Sequence, residues 1–513
     1  MTITAPSEPS EKGSAAGSRR SIVFVFLALM LTMLLASLNQ TVLSTALPTM
    51  VGELNGVDQM LWVMTAFVLA STIMMPVYGK LGDLIGRKGL FLTAISLFMA
   101  GSVLGGLAPD MGWLIAGRVV QGLGGGGLMI MSQAIIADVI PARQRGRYMG
   151  AIGAVFAVSS VAGPLLGGWF TEGIGWRWAF WINIPLGLLA LVAAVFLLRL
   201  PKRRTAPLRV DAAGMALLAV AVTCLILTST WGGSQYDWGS PVIVGLIGGT
   251  LVASVLFVFV ERRAAEPVIP LQLFRDRNFN LTTVAGLLTG VTMFGTLGYM
   301  PTYLQMVTGA EATVAGLLMA PMMGTLLVTS IAVGQFVSRT GRYKWVPVVG
   351  SLLLAGGLGL LSTITPDTPV WFICAHLAVI GTGLGTSMQL LVLIVQNSFP
   401  LSQVGTATAA NNFFRQIGAS LGLAIVGSLF TSRLMDSLSR RIPAGTELPS
   451  GGGRSLTPEL VHSLPEVLRH PIIDSYNAAL VPLFLLMVPL GLIAAFLLVF
   501  VKEKPLATTI DRT

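Results

Sequence analysis

Apolar residues run along this chain in blocks long enough to bury a whole helix, and polar residues collect between them. The blocks lie near 22–44, 60–80, 89–108, 113–138, 148–171, 179–199, 212–231 and 242–260. Six more follow near 281–306, 314–337, 345–364, 370–395, 405–431 and 478–501. A helix that crosses the hydrocarbon core of a bilayer needs about 20 predominantly apolar residues. The pattern therefore predicts fourteen membrane-spanning helices, numbered here as spans 1 to 14. The strands of a β-barrel would instead read as short segments of alternating polarity. The fold class predicted is an all-α polytopic membrane protein.

Composition sharpens this picture. Of 513 residues, 54% are hydrophobic and only 11% charged, with a mean hydropathy of +0.80. A soluble chain carries about 25% charge, so a water-exposed globule of this size is excluded. The net charge of +10 and pI near 10.0 do not signal nucleic acid, because the cations form short clusters between apolar blocks. Most of the 32 Lys and Arg fall on the side that carries both termini. The other side holds Arg177 and a segment, 432–477, whose cations are balanced by Asp436, Glu447, Glu459, Glu466 and Asp474. Positively charged loops stay in the cytoplasm, so a multi-pass cell-membrane protein with both termini cytoplasmic is expected. Cys224 and Cys374 sit far apart inside apolar runs, which supports neither a disulfide framework nor a metal site. No cofactor is expected. Residues 1–20, rich in Ser and Gly, read as a disordered tail; Ser18-Arg19-Arg20 imitates a twin-arginine signal, but the run behind it reads as a retained span.

An internal repeat organises the chain. Gly79-Lys80-Leu81-Gly82-Asp83-Leu84-Ile85-Gly86-Arg87, after span 2, returns after span 10 as Gly334-Gln335-Phe336-Val337-Ser338-Arg339-Thr340-Gly341-Arg342. Trp113 and Arg118 of span 4 match Trp371 and His376 of span 12, and Gly146 and Gly163 of span 5 match Gly405 and Gly422 of span 13. The predicted organisation is a six-helix unit over 21–200, a basic loop with two inserted helices over 201–261, a loop over 262–280, and a second unit over 281–501. A tail, 502–513, closes the chain. Parallel repeats of this kind build secondary transporters with a binding site between the halves. No phosphate-binding Gly-x-x-x-x-Gly-Lys-Ser/Thr loop and no enzymatic constellation is present, so an enzyme is not expected.

These residues resemble the major facilitator superfamily, and within it the fourteen-span drug:proton antiporters of multidrug and quaternary-ammonium efflux. The resemblance rests on Gly79 to Phe91 between spans 2 and 3, Gly163-Pro164-Leu165-Leu166-Gly167-Gly168 in span 5, Trp176 to Gly187 entering span 6, and Pro267 to Arg275 before span 9. It covers about residues 20–501 and implies proton-driven export of small amphipathic, often cationic, compounds by a monomer held in membrane lipid. It also implies a cytoplasmic gate latch at Gly79, Asp83, Gly86, Arg87 and Lys88, and an antiporter helix kinked and closely packed at Gly163, Pro164, Gly167 and Gly168. The bare alternative for Arg87 and Lys88 is topology anchoring. Ser338 replaces the aspartate in the second copy, so a second latch is expected to be weaker or absent.

Polar groups inside the spans are costly and therefore informative. Arg118, with Gln121 one turn on, should find carbonyls or polar side chains of span 1, either for gating and proton transfer or as a static tie. His376 in the matching place is a structural hydrogen-bonder or a titrating group. Arg415, beside Asn411 and Asn412, suggests a cavity-facing polar cluster. Met319, Met322 and Met323 read either as packing or as an adaptable drug surface. Span 1 places Asn39 beside Gln40 where the family usually carries an aspartate, and an amide has no titratable proton near neutral pH. Asn39 and Gln40 are then expected as neutral hydrogen-bonding groups in the cavity. The alternative function is export of a dedicated metabolite or lipid with non-standard or no proton coupling. Within 432–477, the run Leu456 to Leu468 predicts an outward-facing amphipathic hairpin or short helix against the membrane surface or the exit mouth, with a disordered linker as the alternative.

Overall fold

A computed structural model describes residues 11–198, 200, 210–233, 235–441 and 457–509. Among these, thirteen helices are long and apolar enough to cross a membrane, and the shorter apolar helix Trp345–Leu361 makes the fourteenth. In lipid every backbone polar group must be satisfied internally, which leaves helices as the solution for such runs. Spans 1 to 6 are Val23–Glu53, Met60–Ile85, Arg87–Gly106, Met111–Val139, Ala142–Ile174 and Trp178–Leu197. Spans 7 and 8 are Ala212–Trp231 and Pro241–Glu261. Spans 9 to 14 are Arg277–Thr308, Val314–Thr340, Trp345–Leu361, Val370–Gln396, Val404–Arg441 and Glu466–Val499. Side-chain caps start several of them: Asp110, Asp211 and Asp276 accept from the backbone N–H three residues on, at 2.8, 2.8 and 2.9 Å.

Two expectations need correction. The tail was expected to be irregular through residue 20, but the backbone is helical from Glu11; residues 1–10 lie outside the described residues. Spans 13 and 14 run well past the predicted 405–431 and 478–501, reaching Arg441 and starting at Glu466. Leu434 and Leu438 of span 13 and Ile472 and Ile473 of span 14 stay buried in the core there, and Arg441 pairs with Asp474 at 3.5 Å, so the helices continue beyond the apolar stretch that the sequence pattern marks. A short helix, Pro458–Ser463, sits between them, and the Gly-rich part of that segment, 442–456, lies outside the described residues, as does 201–209 of the basic loop.

The repeat is visible in the packing. In the first half span 4 packs on spans 2 and 3, span 1 on spans 5 and 6, and span 3 on span 6. In the second half span 12 packs on spans 10 and 11, span 9 on spans 13 and 14, and span 11 on span 14. The halves meet along two seams that the same symmetry relates, span 5 against span 10 and span 2 against span 13. Span 7 leans on spans 2 and 13 through Leu218, Val222 and Ile226, so the inserted pair braces that seam. Span 8 packs on span 7 and turns Val244, Leu251, Val252 and Val255 outward, as a lipid-facing helix does.

Candidate functional site

The loop between spans 2 and 3 is a tight turn, and Gly86 at its corner has φ +99°, a region that L side chains avoid. That turn sets Arg87 back beneath Asp83, with Arg87 Nη2 2.7 Å from Asp83 Oδ1 and Nη1 2.8 Å from Asp138 Oδ1 of span 4. Arg87 is only 2% exposed, and it also donates to the carbonyls of Ala134 and Leu401. Asp83 reaches across the seam to the start of span 13. Its carboxylate accepts from Gly405 N at 3.2 Å, Thr406 N at 2.7 Å and Thr406 Oγ1 at 2.9 Å. A carboxylate on the first N–H groups of a helix satisfies free donors and meets the positive end of the helix dipole. Gly79 abuts Gly405 and Ala409 on the same seam. Lys88 does not join this group: its ammonium donates to Val195 O at 2.8 Å and ties span 3 to span 6, because it lies one residue round the helix from Arg87.

The other seam is fastened differently. Arg143, at the start of span 5, donates to Ser338 O at 3.4 Å and Arg339 O at 3.0 Å. The segment after span 14 then crosses this face. Asn278 exchanges two hydrogen bonds with Lys502, and Glu503 accepts from Tyr343 N and Lys344 N. Tyr343 Oη both donates to Lys504 O and accepts from Lys504 N, and burial pushes its phenol up from the usual value. Ala507 O finally accepts from Arg143 N at 3.0 Å, so the strap reaches the opposite half. With both seams tied, the face that carries the termini is closed.

Nearer the far face, Arg118 and Asn39 form a second cluster, and here the structure corrects the expectation. Asn39 is 1% exposed and Arg118 fully buried: the group is sealed inside the first half rather than lining a cavity between halves. Arg118 Nε donates to Val63 O of span 2 at 2.9 Å, not to span 1, and its guanidinium lies 4.3 Å over the Phe67 ring. The link to span 1 is indirect. Arg118 donates to Gln121 Oε1, and Gln121 Nε2 donates to Asn39 Oδ1 at 3.0 Å and Ser102 Oγ at 2.8 Å. Asn183 Nδ2 adds a 3.3 Å contact to Asn39 Oδ1. Asn39 Nδ2 and one Arg118 nitrogen are buried without a partner. Gln40 stays partly exposed and outside this cluster. Beside it, Thr41 and Thr45 of span 1 fill the space that Cβ atoms on Gly163 and Gly167 would need, so these glycines permit the span 1–span 5 contact; Gly168 faces open space. Pro164 lies within the same unbroken helix.

His376 sits near the outer end of span 12 with its ring 6.3 Å from Phe372 and its Nδ1 buried without a partner. Met319, Met322 and Met323 are packed in the core of the second half, which is the packing reading. Asn412 Nδ2 donates to Gln133 Oε1 of span 4 at 3.0 Å, across the two halves, and Asn412 Oδ1 accepts from Arg415 Nη2. Gln396 Nε2 donates to Gln133 O at 3.2 Å, while Asn411 turns to Thr283 of span 9. Gln133 and Gln396 were not singled out from the sequence, where each is one polar residue in an apolar run.

Comparison with known proteins settles the class. The Major Facilitator Superfamily profile matches residues 29–423. The chain belongs to the major facilitator superfamily. It therefore has the fold of a family of transporters. An uncharacterised MFS-type transporter of Mycobacterium tuberculosis H37Rv is 41% identical over 496 residues, spanning 96% of this chain and 71% of its own. The multidrug transporter protein MdtP of Bacillus subtilis is 35% identical, over 86% of this chain and 81% of its own. Multidrug resistance protein 3 of the same organism is 33% identical, over 96% and 98%. Among solved structures, the proton:xylose symporter XylE superposes with a TM-score of 0.62 at 16% identity, covering 95% of this facilitator and 98% of that chain. At that identity the likeness speaks for the fold.

Proposed function

We propose that this facilitator exports small amphipathic molecules from the cytoplasm by alternating access in the cell membrane, acting as a monomer. The observation that carries this is the Asp83 contact with the start of span 13, a charged clasp between the two halves on the face that holds both termini. That face, rich in Lys and Arg, is the cytoplasmic one by the positive-inside rule, so the conformation is cytoplasm-closed. Relatives named as multidrug transporters support an efflux direction. Gate latch for Asp83 and Arg87, with Gly79 and Gly86 shaping the turn, is the role that the geometry favours.

Proton antiport, which the resemblance implies, finds little to act on in the interior. Each described Asp and Glu within a span lies near a span end, such as Glu53, Asp83, Asp138 and Glu261, and the family's span 1 aspartate is the buried amide Asn39. This favours the second reading, export with non-standard or no proton coupling. Purified protein in proteoliposomes, loaded with the neutral amphiphile N-phenyl-1-naphthylamine, tests the reading. Flux that Asp83→Asn abolishes is the expected result, and a pH gradient and a membrane potential imposed separately identify the driving force. Binding without flux would overturn export.

A further inference from the structure

Arg415 is a cation set deep within span 13. It lies eleven residues beyond Val404, the first residue of span 13, which at the α-helical rise is about 16 Å along the axis. That is near the middle of a hydrocarbon core about 30 Å thick. Its guanidinium donates to Asn412 Oδ1, and Asn412 in turn holds Gln133 of the opposite half. Arg415 therefore stands where the halves meet. It is not sealed: the residue is partly exposed, and none of its nitrogens is among the buried side-chain atoms that lack a partner. Its guanidinium lies one hydrogen-bonded residue, Asn412, from Gln133 of the opposite half.

Among the described residues no carboxylate pairs with Arg415, and none lies in the middle of a span. Arg118, the guanidinium buried in the outer part of span 4, is also surrounded by neutral partners. A cation at this depth costs several kcal/mol unless something compensates it. Its planar fork of donors fits a carboxylate, sulfonate or phosphate, which it can take in a bidentate pair. A cationic drug would meet like charge at the same point.

We propose that Arg415 is the counter-ion for an acidic headgroup, and that the chain exports amphipathic organic anions. The inference rests on the export reading and deepens it. It also supplies an energy source without a titrating carboxylate. A cell interior held negative drives an anion outward with about 2.3 kcal/mol per charge per 100 mV. The arginine remains at mid-membrane while the anion crosses, so each cycle moves net charge.

The test is flux in proteoliposomes of three aromatic probes: 8-anilinonaphthalene-1-sulfonate, ethidium and neutral N-phenyl-1-naphthylamine. Potential and pH gradient are imposed independently. The expected result is sulfonate export that follows the potential and ignores the pH gradient, with ethidium not carried. Arg415→Gln should lower sulfonate flux by roughly 10- to 100-fold, the worth of a charge-assisted hydrogen-bonded pair. It should spare the neutral probe, and Arg415→Lys should retain part of the sulfonate flux. If Arg415→Gln fails to fold, probe selectivity in the wild type and the Arg415→Lys variant decide. Ethidium flux driven by the pH gradient, or sulfonate flux unchanged in Arg415→Gln, would overturn the proposal. Flux of the neutral probe without the sulfonate overturns this inference alone. Absence of flux for all three overturns the export reading with it.

Discussion

Replacing Asp83 by Asn keeps the shape of the clasp and removes its charge. The native carboxylate accepts three hydrogen bonds from Gly405 and Thr406 and pairs with Arg87 at 2.7 Å. Hydrogen bonds to a charged partner contribute about 1.5–3 kcal/mol each, and an anion at a helix N-terminus adds about 0.3–2 kcal/mol. Asparagine keeps one acceptor oxygen but turns amide N–H groups toward backbone N–H groups, so about half of these contacts fail. The closed state then loses roughly 3 kcal/mol relative to one in which the seam is parted, about 100-fold in their ratio. Ala409 reports this directly, since it is buried against Gly79 on that seam. With Cys224 and Cys374 replaced by serine, Ala409→Cys in inside-out vesicles should react slowly with an impermeant maleimide. In the Asp83→Asn background it should react far faster, while transport is lost and membrane insertion is normal. Equal labelling rates with and without Asp83→Asn would refute the assignment of the closed state to this carboxylate.

Truncation after Val501 removes the contacts of Lys502, Glu503 and Lys504 with Asn278, Tyr343 and Lys344 and the bond from Arg143 to Ala507. It should raise labelling of Ser330→Cys, buried on the span 5–span 10 seam beside Gly150, more than labelling of Ala409→Cys. Asn39→Asp should raise the melting temperature in detergent by a few degrees. It deletes the buried donor that lacks a partner and places an anion one hydrogen-bonded residue, Gln121, away from Arg118, a gain of about 1–2 kcal/mol; a lower melting temperature would count against this account of the cluster.

The span count, the duplication and the charged turn at Asp83 were legible in the sequence because each rests on a long or repeated pattern. What stayed hidden depends on three-dimensional neighbours. Ser102 and Asn183 complete the Asn39 cluster from spans 3 and 6, yet a single small polar residue in an apolar run gives no sign of its partner. Arg118 showed that a partner was needed but not that Val63 O and the Phe67 ring would supply it. The strap from Lys502 to Ala507 carries no motif at all; its role comes from where span 14 happens to end. The outer ends of spans 13 and 14 were misplaced because helix continues there on a narrow apolar stripe, with Leu434, Leu438, Ile472 and Ile473 buried among polar neighbours.

The two seams show what a duplicated fold does when one copy loses a charge. Symmetry would place the residue at 338 over the start of span 5, as Asp83 lies over the start of span 13. A serine there cannot act as an anionic cap on the free N–H groups of that helix. The polarity of the contact is instead reversed: Arg143 from the start of span 5 donates to the carbonyls of Ser338 and Arg339 at the end of span 10. Cations suit the C-terminal end of a helix as anions suit the N-terminal end, so the replacement is electrostatically sound. It is also weaker, because Arg143 is exposed and screened by water, whereas Arg87 and Asp83 are buried together. The strap lies over this weaker seam, and span 7 braces the stronger one. Each seam thus has one charged clasp and one brace from outside the six-helix repeat, and the larger energetic barrier to opening falls on the seam that Asp83 closes.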